Sequence, residues 1–394
     1  MRKALIAALM LAACILLGSR PSVSAVGTCA TPSTQADSGR GALRDLVDEM
    51  NTQGLADFRN LPVGGGGYQA VALSPVLRWQ TRFLVALGTD HPPSSELQTQ
   101  ARAFVGQFSS AIGRNVNSHI WVNDESVSYG ENAMASMISA LCVATTRLHW
   151  SIGSDKDAPV DALMREWLRV QHVTQPEQLG RTADQIVYAM NMARVTYDRS
   201  AHPFNALTTL SQEATFDVSL PVGTKRRVTL PYYDVDGVHG FRLDSKGSSI
   251  TLYLLYGKER AIEKLQKTMD LAHWAAITKR FVRSIVHPPR LPLILHESFG
   301  FYPSAEYAFG LSLITPIPWG AGIEEMGLSV HGKHLDLTAV SGVEGHIGNH
   351  FRFRIIPAHL RVARMQPAQD IVVVLVDRNT GAIILVGAGV ATVP

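Results

Sequence analysis

The sequence predicts a single α+β domain, and three observations carry that prediction. Asp370–Asp377 is an unbroken apolar run, Arg378-Asn379-Thr380-Gly381 supplies turn chemistry, and Ala382–Gly387 is a second apolar run, so the C-terminus reads as a buried hairpin. The first half instead places apolar residues at helical spacing, as in Leu43, Leu46, Val47 and Met50. No break in composition and no repeat period divides the 394 residues, and 46% hydrophobic against 18% charged content is ample for one large core.

The elements follow in order. Arg2-Lys3, an apolar run from Ala4 to Gly18, and the small residues Val23-Ser24-Ala25 are the parts of a secretory signal over residues 1–25. The run falls short of the ~20 residues a bilayer requires, so no stable membrane span is expected and export is the default. Leu11-Ala12-Ala13-Cys14 also resembles a lipoprotein box, with Cys14 as the lipid-bearing residue. Against that, Ile15-Leu16-Leu17 stays apolar where such boxes turn polar. Arg2, Lys3 and Arg20 have no acidic counterpart in the signal, so its removal takes the chain from 36 basic residues to 33, matching its 33 acidic ones. A neutral mature chain lacks the phosphate-neutralising surplus that nucleic-acid binding needs. Only Cys29 and Cys142 then remain, in a compartment where a disulfide persists; a bridge between them and a buried free thiol at Cys142 both stay open.

Residues 26–42 are small and polar and read as a flexible leader. Leu43–Phe58 is an amphipathic helix. Gly64–Gly67 is a connector, because no Gly-Lys-Ser or Gly-Lys-Thr follows to hold a phosphate. Ala70–Leu77 runs through Ser74-Pro75 into a helix that ends at Leu87-Gly88, and Ser94–Phe108 forms another; proline suits a first helical turn.

Together these motifs resemble those of the serpins, and the order is kept. The C-terminal hairpin with its terminal proline resembles the family signature, and Ser74-Pro75 followed by Leu87-Gly88 falls at the family spacing. Asn117–Val122 looks like a main-sheet strand, Ala158–Val170 like the helix across the front of that sheet, and Ile186–Asn191 like its central strand, with Pro203-Phe204 beyond. Ala261–Met269 with Trp274, Arg290-Leu291-Pro292 and Gly310-Leu311 continue the series. The resemblance implies one domain over 43–394 with three mixed β-sheets and about eight or nine helices. It also implies an exported protease-inhibitor homologue with no catalytic residue and no cofactor; a monomer is expected. Hinge and shutter positions fall on Ser74, Pro75, Asn191, Gly345 and Gly348.

In such inhibitors a loop offers a peptide bond to a serine or cysteine protease, then inserts as an extra strand of the main sheet and drags the acylated protease with it. Here the reactive-type loop lies near 345–369, and Arg361 and Arg364 are its bait residues for a trypsin-like protease. The interval has no alanine run. Phe351, Phe353 and Ile355 alternate with Arg352 and Arg354, whose burial during insertion is costly unless the charge is paired. Ala70 also stands where the family has asparagine. The alternative is therefore a noninhibitory binding or carrier protein.

Other chemistries are weaker. His331, His334, His346, His350 and His359 crowd together, but a three-residue step puts His331 and His334 on opposite faces of a strand, and no metal site is expected. His296-Glu297-Ser298-Phe299-Gly300 lacks the glycine a nucleophile elbow needs, so no enzyme is expected. Lys225-Arg226-Arg227, with Lys279, Arg280 and Arg283, would suit a polyanion, or simply solvate the surface.

Overall fold

Two seven-stranded sheets carry the architecture of the computed structural model, which describes residues 22–23, 38–60, 71–87, 93–111, 116–123, 140–148, 158–171, 183–184, 186–187, 204–216, 227–286, 293–301, 319–331, 333–345 and 367–392. The helices are α1 (Ser38–Asn60), α2 (Pro75–Leu87), α3 (Ser95–Ala111), α4 (Ala158–Val170), α5 (Glu259–Thr268) and α6 (Leu271–Thr278). The strands are β1 (Ser22–Val23), β2 (Val71–Leu73), β3 (Val116–Asn123), β4 (Ala144–Leu148), β5 (Phe204–Thr215), β6 (Val228–Val235) and β7 (Val238–Asp244). They continue with β8 (Ile250–Gly257), β9 (Val282–Val286), β10 (Leu293–Phe301), β11 (Trp319–His331), β12 (His334–Gly345), β13 (Pro367–Asp377) and β14 (Ile383–Thr392).

The first sheet has the order β1-β4-β3-β5-β12-β11-β10 and is antiparallel except at β3–β4. The second runs β2-β14-β13-β8-β7-β6-β9 and is antiparallel throughout. The expected three sheets become two because β6 pairs with β9 through Val228–Tyr232 and with β7 through Tyr232–Val235, fusing two ladders along one strand. Six helices, rather than eight or nine, lie among the described residues.

Strand parity gives the first sheet two packing faces. Trp121, Leu207 and Val340 meet Val160, Met164 and Leu168 of α4, the helix expected across the front. The alternate residues Ile120, Val122, Leu210, Leu337 and Ala339 belong to the main core with Leu77 and Leu84 of α2. Of the strand expected at Ile186–Asn191 only Ile186 and Val187 are described; they are helical and, with Ala183, pack beneath α4. A short apolar run cannot be told from a buried helical turn by periodicity, and here the spacing 183, 186, 187 is helical. β5 takes the place beside β3 instead. Asn191 lies outside the described residues. Helix α1 begins at Ser38, inside the expected leader.

The C-terminal hairpin forms as expected and is buried on both faces, with Ile371 to Leu375 at most 2% exposed. Its turn is satisfied internally. The Asp377 carboxylate accepts from the Asn379 and Thr380 N–H groups at 3.3 and 3.1 Å and from the Thr380 hydroxyl at 2.6 Å. Gly381 takes φ +80°, where a side chain would be strained. Asn51 of α1 closes the end: its amide donates to the Gly381 carbonyl at 3.0 Å, and its side-chain oxygen accepts from the Ile383 N–H at 2.8 Å.

Candidate functional site

The β11–β12 hairpin lies beside β5, the central strand of the first sheet. β12 pairs with β5 from His334↔Thr215 to Glu344↔Asn205, and with β11 from His334↔His331 to Gly345↔Trp319. The chain leaves β12 at Gly345 and next appears at Pro367 as β13 of the second sheet. Gly345 is thus the last residue of β12. Gly348, Arg361 and Arg364 fall in the interval 346–366, outside the described residues.

Beneath the hairpin runs α2, and its start is fixed by Ser74-Pro75 as the sequence suggests. The Ser74 hydroxyl accepts from the Leu77 N–H at 3.3 Å, capping the helix, and donates to the Ile384 carbonyl of β14 at 2.6 Å. The Ser74 N–H donates to Glu324 of β11 at 3.3 Å. Four residues on, Arg78 Nε donates to the same carboxylate at 2.7 Å and its terminal nitrogen reaches Asp57 of α1 at 3.2 Å; Arg82 meets Asp57 at 2.8 Å. Thr81 and Ser341 of β12 share a hydrogen bond at 2.8 Å. One polar stripe of α2 therefore grips both strands of the central hairpin and the second sheet.

Glu324 is 1% exposed, so burial raises its carboxyl pKa above the usual range even though Arg78 and the Ser74 N–H oppose the shift. Burial lowers the Arg78 pKa, but Glu324 and Asp57 more than offset it and the net direction is up. With two carboxylates within 3.2 Å the Arg78 guanidinium stays charged, and its 2.7 Å contact holds Glu324 as the carboxylate. Composition gave no warning of this cluster. A trace existed in Arg78 and Arg82, four apart on a helix that is otherwise largely apolar.

On the front face, His119 stacks on Trp121 at 4.3 Å, lies near Trp167 of α4, and bonds Thr146 at 2.8 Å. Burial depresses its pKa to about 4. Among the described residues no three His, Cys, Asp or Glu side chains are placed to hold a metal. The backbone register sets His331 directly opposite His334 rather than on the other face, because a turn separates them. Of the basic cluster, Lys225 and Arg226 lie outside the description, while Arg227, Lys279, Arg280 and Arg283 are exposed at α6 and the ends of β6 and β9. Among the described residues no helix is long and apolar enough to cross a membrane.

No family model and no curated protein matches the chain. Solved structures do. The thermophilic serpin tengpin in its latent state superposes with a TM-score of 0.58 at 10% identity, over 89% of this chain and 98% of that one. Cleaved kallistatin complexed with heparin gives 0.56 at 8% identity, over 77% and 100%. Reactive-loop-cleaved human thyroxine-binding globulin gives 0.53 at 8% identity, over 77% and 99%. The chain has the serpin fold, at low sequence identity to these structures.

Proposed function

We propose that this chain is an exported homologue of serine or cysteine protease inhibitors that presents the interval 346–366 as bait to a trypsin-like protease. One observation supports this most: a central strand of the main sheet ends at Gly345 and the second-sheet hairpin begins at Pro367, so the interval is held at both ends by buried strands, as a bait loop must be. Arg361 and Arg364 are the residues a trypsin-like pocket would take, Ser74 and Pro75 anchor the helix beneath the moving strands, and Gly345 and Gly348 flank the hinge. Arg227, Lys279, Arg280 and Arg283, with Lys225 and Arg226, suit a polyanion; kallistatin was crystallised with heparin.

A noninhibitory binding role is the second reading, and a specific observation favours it. β5, β12 and β11 pair without a gap, so a further strand could enter only by parting a long ladder, with Arg352 and Arg354 carried along. Incubation with trypsin decides between them. A detergent-stable band of higher mass supports trapping. Cleavage after Arg361 or Arg364 without that band supports the second reading. Resistance of the whole interval to trypsin, or cleavage confined to other segments, removes the bait role altogether. Retention on immobilised heparin, lost when Arg227, Lys279 and Arg283 are changed to glutamate, tests the polyanion site.

A further inference from the structure

Cys142 stands at the root of β4 in a covalent bond: it is disulfide-bonded. Its backbone takes φ +56°, a left-handed conformation that a non-glycine residue keeps only when its surroundings over-determine it. Those surroundings are Leu141 and Val143, each 2% exposed, on either side, while Cys142 itself is half-buried against the main core. The chain has two other cysteines, Cys14 and Cys29. The expected export signal separates them: Cys14 lies within residues 1–25 and Cys29 beyond them.

We propose that Cys142 is bridged to Cys29, and that this bond ties the segment after the export signal to the edge of the main sheet. Cleavage after Ala25 would remove Cys14 and β1 but keep both bridged residues. The bond would then tie the new N-terminus to the residue two before β4. It forms by thiol–disulfide exchange: one cysteine thiolate attacks the disulfide of an oxidoreductase of the export compartment, the second displaces that mixed disulfide, and the oxidoreductase leaves as a dithiol with the two electrons and two protons. The bridge would close a loop containing α1, α2, α3 and β3, so most of its effect falls on the unfolded chain. It is a staple across the sheet edge farthest from β10 and is no part of the bait segment.

Peptide mapping of the full chain, alkylated before digestion and without reductant, is the test. The expected product is a cross-linked peptide pair containing Cys29 and Cys142 that separates on reduction. A Cys14–Cys142 pair, or alkylated Cys142 in the unreduced protein, overturns the proposal. Melting gives a second readout that needs only modest folding of the variants. Cys29→Ser and Cys142→Ser should each lower Tm by the same amount, several degrees, and the double variant no further, because both remove one bond. A Cys29→Ser protein that melts with the wild type, or losses that add, counts against it.

Discussion

The β13–β14 and β11–β12 hairpins are held by opposite means. β13–β14 is apolar on both faces, and its polar groups gather at the turn, where Asp377, Thr380 and Asn51 satisfy one another. β11–β12, beside the central strand of the other sheet, carries buried polar groups, and α2 meets them one for one: Arg78 with Glu324, Thr81 with Ser341. Burial of apolar area is non-directional and tolerates small shifts. Buried polar contacts are directional and costly to leave half-made, so they fix register more than they add stability. The C-terminal hairpin is therefore a permanent wall, whereas the central one is held at specified points.

The sharpest test of that contrast removes one partner of the buried pair. Arg78→Met leaves Glu324 buried without a counter-charge and should cost about 3–5 kcal/mol in chemical denaturation. Combining it with Glu324→Leu should restore stability to within about 1–3 kcal/mol of wild type, since a well-packed apolar pair can replace a buried ion pair and the remaining cost is the Ser74 N–H left without its acceptor. If the double variant is as unstable as the single one, the pair is not the unit described. In the wall, Leu375→Ala should cost about 2–5 kcal/mol with no second-site polar rescue.

Asn51→Ala should cost about 1–3 kcal/mol, because the Ile383 N–H and Gly381 carbonyl are left without their partner. The smallest effect concerns pH. The folded-state pKa of His119 is depressed to about 4 from 6.5, so between those values the unfolded chain binds more protons and stability falls as pH falls. His119→Phe should flatten that part of the stability profile measured by denaturant melts from pH 4 to 7. An unchanged slope would mean that His119 is not kept neutral by burial.

Much of this was legible in the chain. The C-terminal hairpin, the Ser74-Pro75 helix start, α4 across the front and strand β3 all stand where apolar patterning and turn residues put them, because each is set by short-range spacing and by one buried face. Ile186 and Val187 misled because a run so short has no period to measure. Glu324 went unnoticed because a glutamate in sequence carries no mark of burial; only its placement over α2 makes it an internal ion. The step from His331 to His334 was read as one strand, when a turn between them sets the two in register across a hairpin.

By itself the sequence determined that this chain mixes helices and strands and where most of its elements begin, since local backbone preference and the side on which apolar residues recur are properties of neighbouring residues. Tertiary structure alone decided that two ladders fuse through β6, that β5 lies at the centre of the main sheet, and that Arg78 and Glu324 meet across 246 positions. Those outcomes depend on which distant groups share a dry interior, and separation along the chain does not encode that.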